Sequence, residues 1–147
     1  MSYVTNSDIE ARVGSAAYVQ LTDDDGDGSA NVAVVDEARL AAEGEVNSLL
    51  AARFVVPIDI VAFPELADLL KSITLDLVEY RLRIRRPPAP KESLDQYLRA
   101  LIWLGDVSEG RVSLPSISVL PTAANRGLIA QSIGEARVLT REELSSH

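Results

Sequence analysis

Residues Pro64–Lys91 read PELADLLKSITLDLVEYRLRIRRPPAPK, and this stretch decides the fold class. Leu66, Leu69, Leu70, Ile73, Leu77, Tyr80 and Ile84 recur at three- and four-residue spacing, tracing one stripe over about five helical turns. Pro64 suits the first turn of that helix, where the N–H it lacks would have no intrahelical partner. Pro87, Pro88 and Pro90 end it, since proline removes a donor and pushes its predecessor out of helical geometry.

Helical patterns also lie on both sides. Upstream, Val35, Ala38, Ala42, Val46, Leu49 and Leu50 predict a helix from about Val32 to Phe54, with Asp36, Glu37, Arg39, Glu43 and Asn47 on its other face. Gly44 inside it costs about 1 kcal/mol relative to alanine, which predicts close helix packing there. FVVPIDIVAFP, with Pro57 and Pro64, reads as a connector. Near the start, Ser7 followed by Glu10 reads as a capping box for a short helix stopped by Gly14, and AAYVQLT as a brief second turn. Downstream, a helix from Lys91 or Glu92 is expected to bury Leu94, Leu98, Leu101 and Gly105, flanked by Tyr97, Ile102 and Leu104, and to stop at Gly110.

After Gly110 the texture changes to small polar residues, two prolines and no sustained period. The expected architecture is therefore mainly α: a compact bundle of about four helices over residues 1–110, and an extended arm over 111–147. Scattered Val, Leu and Ile suit that arm to docking on neighbours, with short β-strand contacts.

Bulk composition narrows the function. The chain has 147 residues, one domain's worth, and enough to bury a core. No apolar run approaches the ~20 residues that span a bilayer, and MSYVTNSDIEAR does not read as a secretory signal. With no cysteine there are no disulfides and no thiolate chemistry, which fits a reducing compartment. The only histidine is His147, so histidine-based triads, zinc sites and proton relays are not expected. DGDGS lacks the spacing and lysine of a phosphate-cradling loop. No enzyme is expected.

The net charge of −8 is uneven: residues 1–80 carry 4 basic against 15 acidic side chains, residues 81–147 carry 10 against 7. An acidic front and a basic back argue against a general nucleic-acid binder and suit contacts between copies. The acids concentrate in QLTDDDGDGSAN. Asp23, Asp25 and Asp27 with Gly28 follow the D-x-D-x-D-G pattern of a calcium loop, and Asn31 stands at its ninth position. Val34 occupies the twelfth, where a bidentate glutamate should close the site. The competing reading is a solvated turn favouring the next helix N-terminus. Any metal site here is a weak calcium site of Asp23, Asp25, Asp27 and Asn31; no other cofactor is expected. Arg81, Arg83, Arg85 and Arg86 suit an acidic neighbour or a phosphate. Trp103 reads as an interface anchor or a half-buried core residue.

Taken together, SDIEARVG, VQLTDDDGDG, DEARLAAEGEVNSLLAARFVVP, LDLVEYRLRIRR and YLRALIWLGDVSEGRVSLP resemble the small helical head–tail junction protein of Mu-like phages and prophages. The matching phrases fall on Leu21 to Gly28, Leu49 to Pro57, Tyr80 to Arg86 and Trp103 to Leu114. EARVLTREEL resembles the family's tail end. Two departures are Phe54, where tyrosine is expected, and Asn31, where aspartate is common.

The resemblance implies a virion protein of the neck: a connector or head-completion subunit forming a ring, commonly of twelve copies, below the portal. Its implied partners are its own copies, the portal protein, a tail-completion or tail-terminator protein, and genomic DNA passing without sequence-specific binding. No membrane is involved. Its implied location is the virion, and the host cytoplasm during assembly. Contact with neighbours is expected through Arg81, Arg83, Arg85, Arg86, Trp103, Arg111, Val112, Leu114, Val138 and Leu139. The alternatives are a small calcium-binding interaction module and a nucleic-acid-binding regulator.

Overall fold

A computed structural model of the chain describes residues 1–120. It holds five helices and, among the described residues, no strand: α1 (Asn6–Val13), α2 (Ser15–Thr22), α3 (Val32–Leu50), α4 (Pro64–Arg83) and α5 (Lys91–Ser108). The mainly helical bundle expected from the sequence is what forms, with one helix more.

That additional helix is α2, where only a brief turn was expected. Tyr18, Leu21 and Thr22 fall at spacings of three and four and are all buried, so packing stabilises a segment too short to be helical alone. A single residue, Gly14 at φ 88°, separates it from α1. The cap of α1 also lies two residues earlier than the Ser7–Glu10 reading. Thr5 is the N-cap, accepting from the Asp8 N–H at 3.2 Å, while the Asp8 carboxylate accepts from the Thr5 N–H at 2.8 Å. Ser7 lies inside the helix and cannot serve.

α4 is the centre of the bundle and touches all four other helices. Leu66, Leu70 and Leu77 of the expected stripe are fully buried along it, joined by Val78 and Leu82 from outside the stripe, whereas Leu69, Ile73 and Tyr80 are only partly buried and Ile84 is exposed past its end. Val35, Ala38, Ala42, Val46 and Leu50 of α3 face it. α3 stops at Leu50 rather than near Phe54. A tight turn follows, with the Arg53 and Phe54 N–H groups both donating to the Leu50 carbonyl, and Phe54 then folds into the core.

The N-terminal strand of chain is anchored by buried polar groups. The Glu43 carboxylate accepts from the Tyr3 N–H at 2.9 Å and the Val4 N–H at 3.4 Å, and from the Ser2 hydroxyl at 2.5 Å. The Tyr3 hydroxyl donates to Asn47 and accepts from the Ile58 N–H, pinning the connector after α3. Burial raises the Tyr3 phenol above its ordinary pKa.

α5 is rotated from its expected setting. Ser93, Ala100, Leu104 and Val107 are its buried residues; Leu94 and Leu98 of the expected stripe are 37% and 44% exposed, and Ile102 is 65% exposed. Tyr97 stacks on Tyr80 of α4 with ring centroids 4.4 Å apart, and that contact selects the inward arc. Close packing at Gly44 is not found either: a Cβ there would meet no atom within 4 Å.

Residues 111–120 lie on the body. Leu114 is buried, Val112, Ile117 and Val119 pack against the core, and the Leu120 N–H donates to the Arg53 carbonyl at 2.6 Å. No helix among the described residues is long and apolar enough to cross a membrane.

Candidate functional site

The acidic loop and the arginine end of α4 meet. Asp24 accepts from Arg85 at 2.5 Å and from Arg86 at 2.8 Å, while Arg85 also donates to the Leu21 carbonyl and Arg86 to the Asp23 carbonyl. Two guanidinium forks thus hold the loop at both ends of one carboxylate. Arg85, then Arg86, keeps the Asp24 carboxyl below its usual pKa.

The loop's remaining oxygens are used locally. Asp23 accepts from the backbone N–H groups of Gly26, Asp27 and Gly28, and Asp27 from the N–H and hydroxyl of Ser29. Gly26 and Gly28 take φ 74° and 79°, the left-handed geometry that lets the amides turn inward. Asn31 serves as the N-cap of α3, its side chain accepting from the Ala33 N–H at 3.0 Å. Asp25 is exposed. Asp23, Asp25, Asp27 and Asn31 are therefore not gathered, and among the described residues no three acidic or histidine side chains converge on a point where a cation could sit. The stretch that resembles a calcium loop in sequence folds as an Asx-turn, with backbone amides donating to Asp23 and Asp27.

The expected contact arginines are likewise engaged inside the chain. Arg81 pairs with Glu45 at 2.7 Å and Arg83 with Glu79 at 2.9 Å. Glu79 also receives Arg12 of α1, which reaches Asp76 as well, so this network ties α1 to α4. Arg111 pairs with Asp106 and Glu109 and closes the end of α5. The acidic first half and the basic arginines meet within one chain. Trp103 is half-buried against the core, Val112 likewise, and Leu114 is buried. Val138 and Leu139 lie outside the described residues.

Two surfaces that motif reading missed remain. One is a groove of about 230 Å³ between α3 and the end of α4, lined by Val34, Ala38, Ala41 and Ile84 with Glu37, Arg81 and Arg85. The Arg81 Nε is buried nearby without a hydrogen-bond partner among the described residues. The other is the apolar strip Leu94, Leu98 and Ile102 on α5. The strip's spacing of four was visible in sequence; which side of α5 faces inward was not.

The family model described as Bacteriophage Mu, Gp36 matches residues 3–131, well over half of the chain. The chain belongs to the Bacteriophage Mu Gp36 family. The Gp36 match takes in all five helices, the clamped loop and the segment laid over the body. It makes the chain a Mu-like phage protein. EARVLTREEL lies beyond the matched residues. No curated protein matches the chain.

Proposed function

We propose that this Gp36-family chain is a structural subunit of the phage neck, a head–tail connector that assembles as a ring below the portal and lets the genome pass. The single observation that carries this reading beyond the family is the apolar outer strip of α5, with Leu94, Leu98 and Ile102 at 37%, 44% and 65% exposure. The arginines at the end of α4 are paired inside the chain, so in this reading contact with neighbours falls to apolar surface, as it does in permanent assemblies. A compact body of five helices suits a ring subunit, and the chain's net charge of −8 would keep a channel from gripping DNA, since like charges repel. Its neighbours in this reading are its own copies, the portal protein and a tail-completion or terminator protein.

The test is to label this chain and image purified particles. Label at the neck in a ring of copies supports the reading; label on the capsid shell, along the tail, or absent from particles overturns it.

A further inference from the structure

α5 carries a ridge on its solvent side. With Ser93, Ala100, Leu104 and Val107 turned inward, Leu94, Leu98 and Ile102 fall on the opposite side of the helix, four residues apart. They form a straight aliphatic ridge about 12 Å long at 1.5 Å per residue. Lys91, Asp95 and Arg99 repeat that spacing along one flank, so a line of charge runs beside the ridge.

The groove between α3 and the end of α4 has the reciprocal shape. Its α3 wall is Val34, Glu37, Ala38 and Ala41, placed at the three- and four-residue steps of one helix face, and its α4 wall is Arg81, Ile84 and Arg85. Alanine at two of those places leaves the trough between the helices unfilled, and Ile84 is 46% exposed at its edge. At about 230 Å³ the groove is smaller than the ~300–1,000 Å³ of small-molecule sites and has the size for a few side chains. A ridge of one helix seated between others is the ordinary way helices pack.

Charge favours a second copy as the occupant. Arg81 and Arg85 on the α4 wall are paired with Glu45 and Asp24. Glu37 on the α3 wall is exposed and joins no ion pair among the described residues, and the same is true of Lys91, Asp95 and Arg99. The open charge of the groove is thus one carboxylate. The flank of the ridge offers two cations against one carboxylate, so the two surfaces complement each other. Glu37 stands midway along its wall, as Leu98 and Arg99 stand midway along the ridge. The ridge belongs to α5 alone and the groove to α3 and α4 alone. One copy can therefore offer its ridge to one neighbour and its groove to another, the head-to-tail arrangement that closes into rings.

We infer that the α5 ridge of one copy seats in the α3–α4 groove of the next, with Leu98 against Ala41 and Arg99 meeting Glu37. The inference rests on the neck reading, which supplies a further copy of this chain as the partner. Leucine and isoleucine hold the contact, and the Arg99–Glu37 pair at its rim sets the register.

The chain has no cysteine, so disulfide trapping reads the contact directly. The full-length Ala41→Cys/Leu98→Cys chain, oxidised at high micromolar concentration, is expected to give a ladder of linked dimers, trimers and larger products. The Ser72→Cys/Leu98→Cys chain, with Ser72 exposed on α4, should cross-link at least fivefold more slowly. Adding Glu37→Arg to the first chain sets a cation against Arg99 and should slow the ladder at least fivefold, and Arg99→Glu on top of it should bring the rate back within twofold. Equal rates for the two pairs, a product that stops at the monomer or dimer, or no recovery with Arg99→Glu would each overturn the proposal. A neck label without the 41–98 ladder keeps the neck reading and removes this contact. A ladder from a chain that labels elsewhere does the reverse.

Discussion

Replacing Glu43 by leucine should release the N-terminal strand of chain from α3. Glu43 is 8% exposed, and its carboxylate accepts from Tyr3 N–H, Val4 N–H and the Ser2 hydroxyl. Leucine fills similar volume but accepts nothing, leaving the buried Tyr3 and Val4 amides without a partner. A buried donor stripped of a charged acceptor costs about 1–3 kcal/mol. The Val4 bond is long at 3.4 Å, so the Tyr3 amide dominates and the expected loss is about 3 kcal/mol. Glutamine keeps one acceptor oxygen without its charge and should cost about 1 kcal/mol. Urea unfolding followed by circular dichroism measures both, and hydrogen exchange at residues 3 and 4 locates the change. A loss for Glu43→Leu within 0.5 kcal/mol of zero, or full protection of those two amides, would refute the assignment of Glu43 as the anchor.

The loop clamp should be acid-labile. The Asp24 pKa is lowered in the folded chain, chiefly by Arg85, so its stabilisation is present above the ordinary carboxylate value of 3.8 and is lost as pH falls below it. Backbone NMR shifts of Gly26 and Gly28 should move in that window, and Asp24→Asn should abolish the acid step; an unchanged profile in that variant counts against the clamp. Millimolar calcium should leave the melting temperature within 1 °C, because three amides already occupy Asp23; a sharp rise would restore the calcium module. Gly110→Ala should destabilise by about 1–3 kcal/mol in thermal unfolding, since φ is 83° and a Cβ would run into the Arg53 guanidinium.

Where one physical signal acts alone, the sequence was readable. α4 is bounded by proline at each end, and its limits follow from that, as the burial of Leu66, Leu70 and Leu77 follows from its apolar spacing. α5 carries two apolar arcs, Leu94–Leu98–Ile102 and Tyr97–Ala100–Leu104, and periodicity scores the larger leucines higher. The inward arc is chosen by a partner, Tyr80, that no local pattern contains. α2 failed for the opposite reason: eight residues of weak pattern become helical because α1, α3 and α4 bury them.

The charged motifs show the same limit in another form. Spacing identified DDDGDG and RLRIRR as places where charge accumulates, but not that the two meet. A carboxylate 61 positions before an arginine has no sequence signature, and Asp24 with Arg85 is such a pair. Once they meet, each cancels the other's outside reading. The aspartates accept from backbone amides and guanidinium groups, and the arginines donate to carboxylates of the same chain. On the proposed neck reading, the subunit would hold its neighbours through leucine and isoleucine rather than through salt-sensitive charge. Ring contacts of that kind should survive a rise in ionic strength that would dissolve contacts made by exposed ion pairs.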